Sequence, residues 1–130
     1  MFRVMIEIDK ALLLSLREQA KASPRLRQNF DLRTSAADTS QRMLNVLEVG
    51  TQVPIHRHEE TTETVICIEG RLIEMFYEKD GEDFCEVARV ELCPREGKYG
   101  VQIPQGVWHT IEVLEPSTIF EAKDGAYKKI

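Results

Sequence analysis

Three histidines are the residues best equipped for chemistry, and the chain has only three. His56 and His58 stand one residue apart in Pro54-Ile-His-Arg-His58. In an extended segment side chains alternate faces with period two, so both imidazoles point the same way. Glu63 opens the apolar run Thr64 to Ile68, and the polar residues 59–62 read as a tight connection between antiparallel strands. That connection brings a carboxylate within reach of the two rings. His109 follows the turn signal Pro104-Gln-Gly106 and begins the apolar strand Thr110 to Leu114. Three imidazoles and one carboxylate suit a divalent metal, and zinc, manganese, iron and nickel all accept such a mixture. The competing reading is that the histidines are incidental surface residues.

The elements that must position these side chains are short strands. Alternation and turn signals place them at Met43 to Val49, Val53 to His58, Thr64 to Glu69, Arg71 to Tyr77, Phe84 to Leu92, Gly100 to Pro104, Val107 to Leu114 and Thr118 to Ala122. Gly50, Gly70, Asp80-Gly81, residues 94–97, residues 104–106 and Pro116 supply the reversals between them. Such spacing predicts an all-β sandwich or barrel. Ahead of it, Phe2 to Ile8 alternates as a short strand, and Asp9 caps a helix running from Lys10 to about Ala22. Leu12, Leu13, Leu16 and Ala20 share one face of that helix, which packs on the outside of the barrel or on a second subunit. Residues 25–41 are polar and read as an irregular connection.

Composition bounds the function. With 130 residues the chain is expected to form one domain, and a net charge of −5 without a basic cluster argues against nucleic acid and anionic membrane. No segment approaches the roughly 20 apolar residues that span a bilayer, and no leader is evident, so a cytoplasmic protein is expected. Cys67, Cys85 and Cys93 lack Cys-x-x-Cys spacing and read as reduced thiols. Cys67 shares strand parity with Glu63, which makes it a small core hydrophobe or, alternatively, a redox partner of the site.

The spacing from Gly50 to Gly70, Gly-x5-His-x-His-x4-Glu-x6-Gly, resembles the first motif of the cupin superfamily at every defined position. A second cupin motif is matched by Pro104, Gly106 and His109, with its leading glycine displaced to Gly97 or Gly100 and its usual asparagine replaced by Val113. Residues 23–29, 41–45 and 115–121 resemble the WbuC-like cupin metalloproteins, often encoded among bacterial surface-polysaccharide genes. The resemblance implies a single-domain cupin jelly-roll β-barrel, with a strand and helical arm over about 2–23 and the barrel over about 42–122. It also implies a metal held by His56, His58, Glu63 and His109, and a sugar or nucleotide-sugar as ligand.

Around that site, parity groups His109 with Ile111 and Val113, and Glu63 with Val65 and Cys67, predicting a largely apolar pocket. Glu74, Tyr99 and Gln102 are the candidate acid–base residues on bordering strands. Arg25, Arg27 and Arg33 are the candidates for binding an anionic group of the ligand. Trp108 has the opposite parity to His109, predicting a packing role outside the cavity. Isomerisation or epimerisation of a sugar, iron-dependent oxygenation of a small molecule, and binding without turnover all remain compatible with these residues. A homodimer is expected, because the apolar stripe of the helix needs cover.

Overall fold

A computed structural model describes residues 4–128. Helix α1 (Lys10–Ala22) is followed by strands β1 (Arg27–Asp31), β2 (Ser40–Leu47), β3 (Glu63–Asp80), β4 (Asp83–Leu92), β5 (Gly100–Ile103) and β6 (Trp108–Asp124). The organising feature is the long antiparallel ribbon of β3 and β6. Its first half runs from Glu63 paired with Lys123 to Cys67 paired with Ile119, and its second from Leu72 paired with Val113 to Tyr77 paired with Trp108.

Between the halves the register is irregular, and Gly70 is the reason the ribbon can fold there. It has φ of 98°, and a Cβ at this position would lie 2.3 Å from the carbonyl oxygen of Pro116. Only glycine combines that dihedral with that approach. Across the irregularity the inward face of β3 moves from odd residues, Glu63, Val65 and Cys67, to even ones, Leu72, Glu74 and Phe76. Each half of the ribbon therefore seeds its own layer. One layer is β1, β2, the second half of β6, the first half of β3, and β5; the other is the first half of β6, the second half of β3, and β4.

Leu47, Val65, Cys67, Ile103 and Ile119 from the first layer meet Leu72, Phe76, Leu92 and Val113 from the second to form the main core. Among the described residues the pairings do not close the two layers into a barrel, and β1, β4 and β5 are left with free edges. Asp9 caps α1 by accepting the backbone N–H of Leu12. The helix lays Leu12, Leu13, Leu16 and Ala20 over Leu44, Val46, Phe30 and Phe120 on the outer face of the first layer. Leu16→Ala at this contact should cost about 2–5 kcal/mol. The stripe is thus covered by its own sheet, which removes the helix as an argument for a dimer.

Several expectations need correction. Phe2 and Arg3 lie outside the described residues, and Val4 to Ile8 is exposed and forms no strand. Residues 27–31, expected to be irregular, form β1. Its polar residues Arg27 and Asn29 face a cavity while Phe30 packs beneath the helix, so the usual alternation is inverted and hides the strand. Residues 53–58 are not a strand paired with β3 across a hairpin. They contribute a single bridge, His56 to His109, at the edge of β6. The strands expected on either side of Gly70 and of Pro116 are continuous as β3 and β6.

Candidate metal centre

The bridge that replaces the expected hairpin is what assembles the histidines. His56 and His109 exchange backbone hydrogen bonds of 3.0 and 2.8 Å. Their rings lie with centroids 4.3 Å apart, and the His58 ring is 5.1 Å from that of His56 and 5.6 Å from that of His109. Outside the site, Arg57 places its guanidinium 4.5 Å from the ring centroid of Trp108, which in turn packs edge-on against Phe84 at 5.1 Å. This cation–π contact ties the residue between the paired histidines to the residue before the third. Trp108 thus packs against Phe84 and Arg57, but it also lines the cavity, which corrects the expectation that it lies outside it.

The protonation of two of the rings follows from their hydrogen bonds. Nδ1 of His56 lies 2.8 Å from the Pro54 carbonyl oxygen and Nδ1 of His109 lies 2.9 Å from that of Val107. A carbonyl can only accept, so each Nδ1 carries the proton and each Nε2 offers a lone pair. One ring nitrogen from each of the three histidines lies within 4.8 Å of the others. Nε2 of His58 and Nε2 of His109 are buried and have no hydrogen-bond partner among the described residues. Burial, followed by the nearby Lys123 charge, pulls His58 down to about 4, and burial also lowers His56. Neutral, converging and otherwise unsatisfied imidazole nitrogens fit a divalent metal.

Glu63 stands at the edge of this group. Its carboxylate oxygens are 3.5 Å from His58 Nε2 and 3.7 Å from His109 Nε2, too long for hydrogen bonds, while Lys123 Nζ donates to it at 3.1 Å. Burial opposes its ionisation, but the His109 ring and the Lys123 ammonium outweigh that and hold the carboxyl below its ordinary range. The anion is therefore ready to join the imidazoles, with Lys123 balancing its charge meanwhile.

The histidines line a cavity of about 920 Å³ that runs between the two layers. Its wall corrects the expectation of an apolar pocket. Parity along the strands that carry the histidines and Glu63 shows only their own neighbours, whereas β1, β2 and the second half of β6 add Arg27, Asn29, Gln41, Asn45, Glu121 and Lys123. Parity on β2 held the missing signal. Leu44 and Val46 form an apolar face that matches the helix stripe, which leaves Gln41, Met43 and Asn45 to face the other way. Of the acid–base candidates, Glu74 lines the cavity and is 3% exposed. Its carboxyl is pushed well above the ordinary range, chiefly by burial and then by Glu63 and Glu121. Tyr99 is 60% exposed and Gln102 bonds Thr64 on the outer face of β5, so neither reaches the cavity. Arg25 and Arg27 line it; Arg33 instead pairs with Asp31 at 2.8 Å. Cys67 is buried in the core with its thiol pushed up to about 11 by burial, the protonated state of a packing residue.

The solved structures with a similar fold include three cupin-fold proteins. The capsular polysaccharide assembling protein CapF from Staphylococcus aureus aligns with a TM-score of 0.62 at 18% identity, over 82% of this chain and 28% of that one. KdgF from Halomonas sp. aligns with a TM-score of 0.58 at 14% identity, over 81% and 84% of the respective chains. Oxalate oxidase in complex with the substrate analogue glycolate aligns with a TM-score of 0.60 at 13% identity, over 80% of this chain and 53% of that one. The chain spans less than a third of the length of CapF. The fold is accordingly a cupin's, mostly β with one helix. No helix among the described residues is long and apolar enough to cross a membrane. No curated protein sequence matches the chain. A family model described as a domain of unknown function, DUF6016, matches residues 8–89, more than half of the 130 residues, and the chain belongs to that family.

Proposed function

We propose that the chain is a single cupin domain of jelly-roll type, WbuC-like in kind, that holds one divalent metal through His56, His58, Glu63 and His109. In this reading it binds an oxygen-rich small molecule, a phosphorylated or nucleotide-linked sugar of bacterial surface-polysaccharide metabolism, beside that metal. The observation that carries the reading is the pair of buried, unpartnered Nε2 atoms of His58 and His109 facing His56. Likeness to a capsular polysaccharide assembling protein supports the sugar setting.

When bound, the metal supplies a Lewis acid that polarises a coordinated oxygen. The chain's own residues do the rest. The Pro54 and Val107 carbonyls fix two imidazoles in the metal-binding tautomer, and Lys123 balances the charge of Glu63. Arg27, held by Thr51 and the Gln52 carbonyl, and Arg25 near it offer charge to a phosphate at the cavity wall. Glu74 is the one acid–base candidate placed to exchange a proton with a molecule in the cavity.

Elemental analysis of protein purified without added metal should give about one equivalent per chain. Calorimetric titration against sugar phosphates, nucleotide-sugars and small carboxylates should find salt-sensitive binding that Arg27→Ala weakens without changing metal content. Binding confined to neutral apolar compounds would favour a second reading, oxygenation of a small molecule at iron, which the same donor set allows. The homodimer remains part of the proposal on other grounds, since Val4, Met5, Ile6, Ile66 and Ile68 are exposed apolar residues. Sedimentation showing one 15.0 kDa species at micromolar concentration would remove it.

A further inference from the structure

Beside the histidines the cavity wall carries a second polar group that the metal reading leaves unused. Glu74 rises from the second half of β3, and Glu121 from the second half of β6 in the opposite layer. Asn45 on β2 lies diagonal to Glu121, because β2 pairs Met43 with Glu121 and Asn45 with Ile119. All three line the same cavity as the histidines. Neither carboxyl has a side-chain hydrogen bond among the described residues, although Glu74 is 3% exposed. Independently, Oδ1 of Asn45 is fully buried and has no partner among them. Buried acceptors are ordinarily satisfied, and one left unsatisfied on the same cavity as two carboxyls without side-chain hydrogen bonds marks a place completed by something else.

The nearest cations already make other contacts. Lys123 donates to Glu63, and Arg27 donates to Thr51 and to the Gln52 carbonyl. None of these cations donates to Glu74, Glu121 or Asn45, so a ligand with donors of its own would complete the group. Hydroxyl groups suit it better than an ammonium group, because the charges of Lys123 and Arg27 already act on Glu121. We propose that Glu74, Glu121 and the side-chain oxygen of Asn45 form a floor subsite that accepts hydrogen bonds from the hydroxyl groups of a polyhydroxylated ligand. The subsite sets specificity by hydroxyl content, apart from whatever the metal and Arg27 do for an anionic group. It deepens the sugar reading above and rests on it only for the choice of phosphate probes.

The test uses the metal-loaded protein and four probes: glucose 6-phosphate, butyl phosphate, myo-inositol and cyclohexanol. In the wild type, glucose 6-phosphate should bind at least about tenfold more tightly than butyl phosphate, and myo-inositol more tightly than cyclohexanol. Glu74→Gln and Asn45→Leu should each bring the phosphate pair to within about twofold while metal content holds. Equal binding of the two phosphates would overturn the floor and leave the anion reading standing. Binding of myo-inositol without either phosphate would do the reverse, and binding of no probe would overturn the floor. A second measurement needs no ligand at all. Because Glu74 lacks a partner in the free protein, Glu74→Met should raise the Tm of the ligand-free protein by a few degrees, about 3 °C or more. A fall in Tm would mean that the carboxyl is held by the protein itself, and would overturn the subsite.

Discussion

The histidine end of the cavity and its carboxylate floor lie in one space but are specified by different kinds of sequence information. At the histidine end, His56, His58 and Glu63 fall within eight residues, and only His109 arrives from a distance. At the floor, Asn45, Glu74 and Glu121 come from three strands that meet only because the β3–β6 ribbon folds at Gly70 and β2 joins its outer side. Local spacing can announce the first. The second exists only once long-range pairing is known, and no motif marks it. The two also differ in what is left unpartnered: imidazole nitrogens at one, an amide oxygen at the other.

The largest effect should come from breaking the histidine end alone. His109→Ala removes the histidine that is 3% exposed and bridged to His56, so metal affinity should fall by about 100-fold or more, while the floor still distinguishes polyols from their deoxygenated analogues. Full metal content in this variant, or in one lacking both His56 and His58, would dismiss the assignment. Breaking the hinge that both ends share should be nearly as severe. Gly70→Ala places a Cβ 2.3 Å from the Pro116 carbonyl oxygen at a φ of 98°, and should cost about 3 kcal/mol or more. A Tm within about 2 °C of wild type would show that the ribbon is not held at that fold.

A subtler effect separates the ends by pH. Burial raises Glu74 above an unfolded carboxylate near pH 4.3, so on raising the pH from there the unfolded state ionises first and stability falls. Metal-free Glu74→Gln should lose that decline and be relatively more stable at pH 7 than at pH 4. Parallel stability profiles for variant and wild type would place Glu74 in a less demanding environment than its burial implies.

These differences also explain what could be read in advance. The histidine cluster was legible because His-x-His and the Pro-x-Gly-x2-His spacing are local and chemically unusual. The helix was legible from Asp9 and the stripe of Leu12, Leu13 and Leu16. Strand β1 was not, because its inner residues Arg27 and Asn29 face a polar cavity and its apolar Phe30 faces the helix, inverting the pattern that marks a strand. The hairpin after His58 was expected from a polar run, but backbone pairing went to His109 instead, a contact 53 residues away whose partner sequence could not name it. The polar wall was missed for the same reason, since Glu121 and Lys123 reach the site through the far half of a strand that Pro116 seemed to interrupt.

The smallest effect tests whether the polar wall can be loosened without touching the metal. Asp38 anchors the connection between β1 and β2, accepting the backbone N–H groups of Thr34 and Ser40 at 2.9 Å and the Arg42 guanidinium at 3.1 Å. Those backbone donors first, and Arg42 after them, hold its carboxyl below the ordinary range. A depressed carboxylate contributes stability that is present above the unfolded value, near 3.9, and is lost as the pH falls through its folded value. Asp38→Asn should therefore lower the Tm slightly at pH 7, with the gap to wild type shrinking as the pH drops below about 4. The connection carries β1, and with it Arg27 and Asn29, but none of the histidines. Metal content should be unchanged while glucose 6-phosphate binding weakens modestly. A parallel loss of metal would mean that the histidine end depends on the wall, and that the two ends form one cooperative unit instead of two separable ones.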